Sequence, residues 1–211
     1  MRQLFIEARY RGKIKIKNIS KLPQKIGLAT TVQFLDQLDD VKKQLKGKKV
    51  FLGKGKQKYK SQILGCDVSS AKKIKDDVDA FLYIGTGQFH PIALGLLGKD
   101  VYILNPFDGK ISELDKKKIE SYNKRRKGAM IKFLSSENIG VLVSTKIGQK
   151  YSMKTLEFLE KKYKDKKFYF FITDNVDISQ LENFPFIDSW INTACPRLEG
   201  DFGFVNILDL K

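Results

Sequence analysis

The feature that most constrains the fold of this chain is a series of short apolar runs separated by amphipathic stretches. Several runs are apolar at successive positions, as in Ala-Phe-Leu-Tyr-Ile at residues 80–84. Continuous apolar character indicates strands that are covered on both faces, which is typical of a parallel sheet. The predicted strands are residues 4–7, 26–30, 50–52, 80–84, 101–104, 140–144, 168–172 and 186–191.

The stretches between these runs carry helical periodicity. Two apolar stripes, with members three or four residues apart, are Phe34, Leu38, Val41 and Leu45, and later Met153, Leu156, Leu159 and Tyr163. Thr30 and Thr31 are the predicted N-caps of the first helix, and Ser152 is that of the second. Ser-Glu-Leu-Asp at residues 112–115 is a predicted capping box that opens a third, polar helix reaching about residue 127. Strands that alternate with helices predict βαβ units and an α/β fold.

A short repeat sets the expected domain organisation. Residues 25–33 and 138–149 both give Ile-Gly, an apolar strand, two hydroxyl residues and a Gln that leads into a helix. An internal duplication explains this match. We therefore expect two related domains, each with a small parallel sheet flanked by helices, arranged by internal pseudo-symmetry. The predicted domains are residues 19–112 and 113–211, with one cysteine at a related place in each, on a loop after a strand.

The chain is strongly basic, with 40 Lys and Arg against 24 Asp and Glu, a net charge of +16. Such a charge attracts nucleic acid, an acidic protein or an anionic small molecule. The lysines are spread along the whole chain, which favours a general solubilising role over a dedicated binding tract. The sequence shows no apolar run long enough to span a membrane and no signal peptide, so we expect a cytoplasmic protein.

The first of only two cysteines, Cys66, follows a predicted strand end in Leu-Gly-Cys-Asp at residues 64–67, where the glycine permits an unusual turn. In a cytoplasmic chain a disulfide is not expected. Asp67, Ser69 and Ser70 are predicted to cap the next helix, whose dipole would stabilise the thiolate that binds iron. A buried cysteine in a tight strand-to-helix turn explains the same residues.

The second cysteine, Cys195, ends another predicted strand and precedes Pro196 and Arg197. Proline removes a backbone donor and stops the ladder. Arg197 either neutralises charge on a cluster, binds a carboxylate with its planar fork, or is an ordinary surface cation. Neither cysteine has a Cys-x-x-Cys or His pair typical of zinc sites, and the Cys-x-x-x-Cys-x-x-Cys signature of conventional radical enzymes is absent. A cluster here would need ligands from distant parts of the chain.

Two further segments have residue types that suggest chemistry. Gly85 and Gly87 resemble a phosphate-binding turn, but Pro91 interrupts where a helix should run. The single histidine, His90, is interpreted as stabilising this turn in preference to acting as a catalytic base. The basic loop at residues 53–60 is expected to be solvated and mobile beside the first cysteine, because no aromatic platform for RNA accompanies it.

Five motifs, occurring in one order, resemble those of a known family. They are Gly-Leu-Ala-Thr-Thr-Val-Gln at 27–33, Leu-Gly-Cys-Asp at 64–67, Phe-Leu-Tyr-Ile-Gly-Thr-Gly-Gln-Phe-His-Pro at 81–91, Gly-Gln at 148–149 and Ala-Cys-Pro-Arg-Leu at 194–198. Together they closely resemble the 2-(3-amino-3-carboxypropyl)histidine synthase family of diphthamide biosynthesis, in its archaeal form. The resemblance covers essentially the whole chain.

The resemblance implies three related α/β domains, each giving one cysteine to a central four-iron, four-sulfur cluster, with Cys66 as the second ligand and Cys195 as the third. It implies that S-adenosylmethionine occupies the fourth iron position. It further implies that the reduced cluster cleaves the bond between the sulfur and Cγ of S-adenosylmethionine. The resulting 3-amino-3-carboxypropyl radical would then add to a histidine of translation elongation factor 2. Gln149 and Arg197 fall where the S-adenosylmethionine pocket is expected. Family members work as dimers and need an electron-donor protein.

The resemblance implies a first domain with its own cysteine ahead of these two domains, and we expect that the chain lacks this domain. Residues 1–18 are interpreted as a remnant of that domain or a bridge from it. Two cysteines cannot give three thiolate ligands, so we expect an enzyme subunit or fragment that is active only with a polypeptide supplying the third cysteine. The alternatives are a non-catalytic partner subunit that has lost its cluster and a basic RNA-binding protein.

Overall fold

The computed structural model describes residues 4–196, 198 and 203–210. The chain divides into two compact units, Met1–Ile119 and Glu120–Lys211. Each unit has its own sheet and its own apolar clusters on both faces of that sheet. No helix in the described part of the chain is long and apolar enough to cross a membrane.

The first unit contains a five-stranded sheet in the order β2-β1-β3-β4-β5. Its strands are β1 (Lys25–Thr30), β2 (Lys49–Phe51), β3 (Ala80–Ile84), β4 (Asp100–Leu104) and β5 (Ile111–Glu113). All pairings are parallel except that of β5 with β4. Along β3, Phe81 and Tyr83 pack into one apolar cluster, whereas Leu82 and Ile84 pack into the other. Burial on both faces explains why this strand is apolar at every position.

Helices cover both faces of this sheet. A 3-10 helix (Val32–Gln37) leads into α1 (Leu38–Gln44), and α2 (Ser69–Lys72) and α3 (Phe89–Gly95) follow. The next helix is α4 (Lys116–Ser135), and the division between the two units falls within its first turns. The predicted stripe of Phe34, Leu38, Val41 and Leu45 packs with Leu82 in one cluster. The stripe is therefore confirmed, although its first turn is a 3-10 helix.

The second unit contains a four-stranded parallel sheet in the order β7-β6-β8-β9. Its strands are β6 (Asn138–Ser144), β7 (Lys167–Thr173), β8 (Ser189–Asn192) and β9 (Val205–Asn206). The helices are α4 from Glu120 onward, whose Ala129 and Phe133 pack into the core of this unit, α5 (Met153–Leu156) and α6 (Phe158–Lys162). Two 3-10 helices follow at Ile178–Asn183 and Ile207–Asp209. Leu156 and Leu159 pack with Val141 on one face of the sheet, and Leu181 packs with Trp190 on the other.

The two sheets share one connectivity. Strands β1, β2, β3 and β4 take the same places in their sheet as β6, β7, β8 and β9 take in theirs. In each unit a glycine of the first strand pairs with a large aromatic residue, Gly27 with Phe81 and Gly140 with Trp190. A Cβ on these glycines would lie 2.7 Å from the Phe81 ring and 2.3 Å from the Trp190 ring. The predicted α/β class with two related sheets is confirmed, and the repeated Ile-Gly serves this close packing.

Several local predictions are wrong. Residues 4–7 form no strand and are exposed. The strand predicted from residue 186 begins only at Ser189, because a turn precedes it. The capping box does not form: Ser112 lies in β5, and Asp115 instead accepts a hydrogen bond (2.9 Å) from the backbone of the second residue of α4, which starts later and ends later than predicted.

The predicted caps of the two equivalent helices also differ in outcome. Ser152 accepts a hydrogen bond from the backbone of Thr155 (3.2 Å) and caps α5 as predicted. Thr31 precedes its 3-10 helix without a side-chain cap bond. Thr30 lies inside β1, where its hydroxyl donates to the carbonyl of Ile84 (2.8 Å) and supports the sheet.

Candidate functional site

Cys66 lies in a tight hairpin turn. Leu64 N donates to the carbonyl of Asp67 (2.9 Å), and Asp67 N donates to the carbonyl of Leu64 (3.1 Å). Only Gly65 and Cys66 lie between them, so the exposed thiol residue is at the tip of the turn. The preceding residues pair with Thr30 at the carboxyl end of β1. The turn therefore lies at the edge of the sheet where parallel α/β folds bind ligands.

Gly65 is required in this turn by packing. It is not among the glycines with a positive φ, so the predicted reason for a glycine, an unusual backbone turn, is wrong. A Cβ at this position would lie 1.9 Å from Cε1 of Phe89. The aromatic ring therefore contacts the glycine backbone directly. Because Phe89 begins α3, the segment at residues 81–91 supports the Cys66 turn within the same unit.

The basic loop at residues 53–60 is tied to the residues that follow the first cysteine. Lys56 N donates to Ser69 Oγ (2.8 Å), and Gln57 Nε2 donates to Asp67 Oδ2 (2.6 Å). The loop thus lies beside the cysteine turn, as expected. Its lysines, among them Lys54 and Lys58, are exposed to solvent as expected, while hydrogen bonds from Lys56 and Gln57 connect the loop to the turn.

Asp67 completes this hydrogen-bonded turn. Its Oδ1 accepts a hydrogen bond from Ser69 N (2.9 Å) in addition to the bond from Gln57. Burial raises the pKa of Asp67, but hydrogen bonds from Gln57 and Ser69 and the charge of Lys56 outweigh burial and lower it. Ser69 is the first residue of the four-residue helix α2, so Asp67 caps this helix as predicted, although Val68, which directly precedes α2, makes no side-chain cap bond. Ser69 and Ser70, also predicted as caps, lie inside α2.

Cys195 lies in the loop after β8 and is half-buried. The side chain of Asn192, the last residue of β8, accepts a hydrogen bond from Ala194 N (2.8 Å) and donates one to the carbonyl of Cys195 (2.7 Å). Asn192 was not predicted as a site residue, although a polar amide at the end of an apolar strand was a usable signal. Arg197, predicted to lie in the S-adenosylmethionine pocket, is outside the described residues.

Gln149 lies at the same sheet edge as Cys195. It ends a turn after β6 in which Gln149 N donates to the carbonyl of Lys146 (3.0 Å) and Gly148 has a φ of 83°. Its side-chain oxygen is 3.5 Å from the donating hydroxyl of Ser144. Strands β6 and β8 are parallel neighbours, so the loops after them emerge at one edge. The structure places these two predicted site residues in one unit and the first cysteine in the other.

His90 lies in α3 and not in a turn. Pro91 falls in the first turn of α3, where its missing N–H is tolerated, so the prediction that it interrupts the helix is wrong. The His90 ring stacks on Tyr83, and its Nδ1 is 3.3 Å from the Tyr83 hydroxyl. Burial raises the pKa of Tyr83 to about 12, so this hydroxyl stays protonated to a higher pH than an ordinary tyrosine, whose pKa is 10.0. These contacts fit the expected structural role of His90.

The two cysteines follow different strands of the duplicated connectivity. Cys66 precedes β3, in the long connection from β2, whereas Cys195 follows β8, the counterpart of β3. The prediction that the cysteines occupy related places is therefore wrong, although both lie at a carboxyl edge. The counterpart of the Cys195 loop in the first unit is the turn at residues 85–88.

The chain offers two thiols and no complete metal site of its own in the described residues. Neither cysteine is in a disulfide. Over the described ranges, no three Cys, His, Asp or Glu side chains are grouped so that they could hold a metal ion.

Comparison with known proteins decides the family. The model of the diphthamide synthesis protein family (Diphthamide_syn) matches residues 8–203. The chain belongs to this family. The resemblance read from the five motifs is thereby confirmed.

Similar members of the diphthamide synthesis family include 2-(3-amino-3-carboxypropyl)histidine synthase of Pyrococcus horikoshii, 31% identical over 197 residues, covering 90% of this chain and 55% of that protein. Subunit 1 of the Schizosaccharomyces pombe synthase is 30% identical, covering 85% of this chain and 43% of that protein. The crystal structure of Dph2 from Pyrococcus horikoshii with a 4Fe-4S cluster matches with a TM-score of 0.74 at 29% identity, over 89% of this chain and 56% of that chain. The chain spans about half the length of the curated relatives it matches.

Proposed function

We propose that this chain is a subunit or fragment of the iron–sulfur enzyme that transfers the 3-amino-3-carboxypropyl group from S-adenosylmethionine to a histidine of translation elongation factor 2. It acts in the cytoplasm with a polypeptide that supplies the remaining domain and the third cysteine, in a dimer of the family type, with an electron-donor protein. Residues 19–112 and 113–211 are its second and third family domains, and residues 1–18 are a remnant of the first domain or a bridge from it.

One observation carries this proposal. Both cysteine motifs of the family resemblance fall in hydrogen-bonded loops at the carboxyl edges of parallel sheets, Cys66 exposed and Cys195 half-buried. Cysteine thiolates are the ligands of four-iron, four-sulfur clusters, so the donor set fits part of such a cluster. The third ligand is left to the partner polypeptide, because the chain has two cysteines.

The residues of this chain bind and orient the reactants. When bound, the cluster supplies the electron for reductive cleavage between the sulfur and Cγ of S-adenosylmethionine. Cys66 and Cys195 hold the cluster. Gln149, at the same edge as Cys195, offers an amide that can donate to the carboxylate and accept from the ammonium of the methionine moiety. Arg197 provides a planar fork for the same carboxylate.

Anaerobic reconstitution tests the proposal. The chain is mixed with the segment of the Pyrococcus horikoshii protein that it leaves unmatched, together with iron and sulfide. We expect the visible absorption of an iron–sulfur cluster and about four iron ions per complex. Cys66→Ser and Cys195→Ser should each remove most of the bound iron, whereas Gly128→Ala, on an open helix surface, should leave it unchanged.

A colourless mixture without iron contradicts the proposal and favours the non-catalytic partner subunit, which the presence of only two cysteines also suits. If iron binds, transfer of labelled aminocarboxypropyl from S-adenosylmethionine to elongation factor 2 tests the substrates separately. Measurement of RNA binding across a salt series tests the remaining alternative, a basic RNA-binding protein. Because the lysines are dispersed, we expect only weak binding that disappears with added salt.

A further inference from the structure

Asn192 is a buried amide at an unusual place. It is 1% exposed and ends β8, where it pairs with Leu142 of β6 and Asn206 of β9. Burying an amide costs free energy unless its polar atoms are hydrogen-bonded, and an apolar residue would complete the strand without that cost. The sheet alone therefore does not explain an asparagine here.

The Asn192 side chain is hydrogen-bonded to the backbone of two successive residues, Ala194 and Cys195. Its Oδ1 accepts from Ala194 N (2.8 Å), and its Nδ2 donates to the carbonyl of Cys195 (2.7 Å) and to Asn206 Oδ1 (3.2 Å). One acceptor and one donor, fixed in a planar group, match the N–H and C=O of successive residues. An aspartate has no donor for the carbonyl, and a leucine satisfies neither group.

We propose that Asn192 is the positioning residue of the Cys195 thiol, holding the loop in the conformation that presents its sulfur. This inference rests on the proposed function of Cys195 as a cluster ligand. Pro196 follows directly and has no N–H to donate. The carbonyl of Cys195 also accepts from Leu198 N (2.8 Å), so the amide of Asn192 and the next turn together fix the backbone at the cysteine.

The test uses the full chain without iron and measures the alkylation rate of each cysteine by N-ethylmaleimide and peptide mass spectrometry. Asn192→Asp keeps the size and the acceptor but turns an oxygen toward the Cys195 carbonyl. Loss of the donor should raise the alkylation rate of Cys195 by about fivefold. The rate of Cys66, in the other unit, should not change.

Asn183→Asp is the matched control. It makes the same charge change in the same unit, but its side chain bonds the exposed Gln180 (3.1 Å). Both alkylation rates should equal those of the wild type. An unchanged or slower rate at Cys195 in Asn192→Asp would overturn the inference.

A second measurement covers the case in which Asn192→Asp unfolds and both cysteines react faster. Amide hydrogen exchange of the wild-type chain should show the Ala194 N–H protected by at least about tenfold, because Asn192 accepts its hydrogen bond. Free exchange at Ala194 contradicts the inference.

Iron loading with the partner segment separates this inference from the proposed function. If the wild-type complex binds no iron, the proposed function is rejected, but the alkylation rates still test whether Asn192 holds the loop. Wild-type and Asn192→Asp complexes that bind iron equally, with the same visible spectrum, support the proposed function and reject the positioning role. We expect less iron and an altered spectrum in Asn192→Asp alone.

Discussion

The loops that carry the two cysteines, each at the carboxyl edge of its sheet, are held by different contacts. In the first unit, the Cys66 turn is supported by the Phe89 ring and by the basic loop at residues 53–60, which lie elsewhere in the sequence. In the second unit, the Cys195 loop is held by the side chain of one residue three positions earlier, Asn192. The Cys66 turn is supported by one ring contact and two hydrogen bonds from separate segments, whereas the Cys195 loop is held by two hydrogen bonds of one buried amide.

Equivalent strand positions make the contrast sharper. Phe81 and Trp190 pair with the equivalent glycines, so Tyr83 and Asn192, two residues after each, correspond. Asn192 reaches Cys195, whereas Tyr83 reaches His90 (3.3 Å). The duplicated strands keep one framework because their side chains fill two cores, while the loops at the carboxyl edge are free to differ and to carry function.

The largest effect should come from the glycines that the two units share. Gly140→Ala puts a Cβ 2.3 Å from the buried Trp190 ring, and Gly27→Ala puts one 2.7 Å from Phe81. Overpacking of this kind costs about 1–3 kcal/mol, and the shorter contact should cost more. Urea unfolding followed by circular dichroism measures both. Gly128→Ala, with open space around its Cβ, is the control and should stabilise α4 by up to about 1 kcal/mol.

Gly65→Ala tests whether the Phe89 ring supports the first cysteine. The new Cβ would lie 1.9 Å from a ring that is 42% exposed, so the ring can move outward at a cost of about 1 kcal/mol, at the low end for overpacking. The Cys66 turn should then alkylate faster while Cys195 is unchanged. Adding Phe89→Ala should restore the local fit. Equal alkylation of Cys66 in the wild type and in Gly65→Ala would show that the ring has no such role.

The helix caps predict a smaller difference between the units. Ser152→Ala removes a cap bond to Thr155 N (3.2 Å) and should cost about 1 kcal/mol. Thr31→Ala removes no cap bond and should stay within about 0.5 kcal/mol of the wild type. Thermal unfolding of both variants checks this, with the single Trp190 reporting on the second unit by fluorescence. Equal losses would mean that the two caps are equivalent after all.

Much of the framework was predictable from sequence because its signals are local. The runs at residues 80–84 and 140–144 show two-sided burial directly, and the stripe that includes Phe34 and Leu45 shows one helical face. Ser152 acts on the third residue after it, so its cap is readable in the sequence. The family resemblance added the expected role of the two cysteines as cluster ligands, which their local sequence alone did not specify.

The site details were not predictable because they depend on contacts between distant residues. Nothing near Gly65 reveals that Phe89 packs on it, and the bond from Gln57 to Asp67 depends on how the loop folds back. The correspondence of β8 with β3, which shows that the cysteines are not equivalent, requires the strand order of both sheets. Sequence repeats gave the duplication but not its register.

The smallest effect concerns Tyr83, at the strand position that Asn192 occupies in the other unit. Burial raises the pKa of Tyr83 to about 12, above its usual value of 10.0. The folded state thus keeps the proton to a higher pH than the unfolded state, and the stabilisation is full below pH 10.0 and is lost as pH rises toward about 12.

Tyr83→Phe removes one hydrogen bond at neutral pH, a cost of about 1 kcal/mol or less. Above pH 10.0 the wild type should lose stability relative to the Phe variant. Urea unfolding between neutral pH and pH 11, with Tyr169→Phe on a more exposed ring as the control, measures the difference, and a pH-independent gap would contradict the burial of Tyr83.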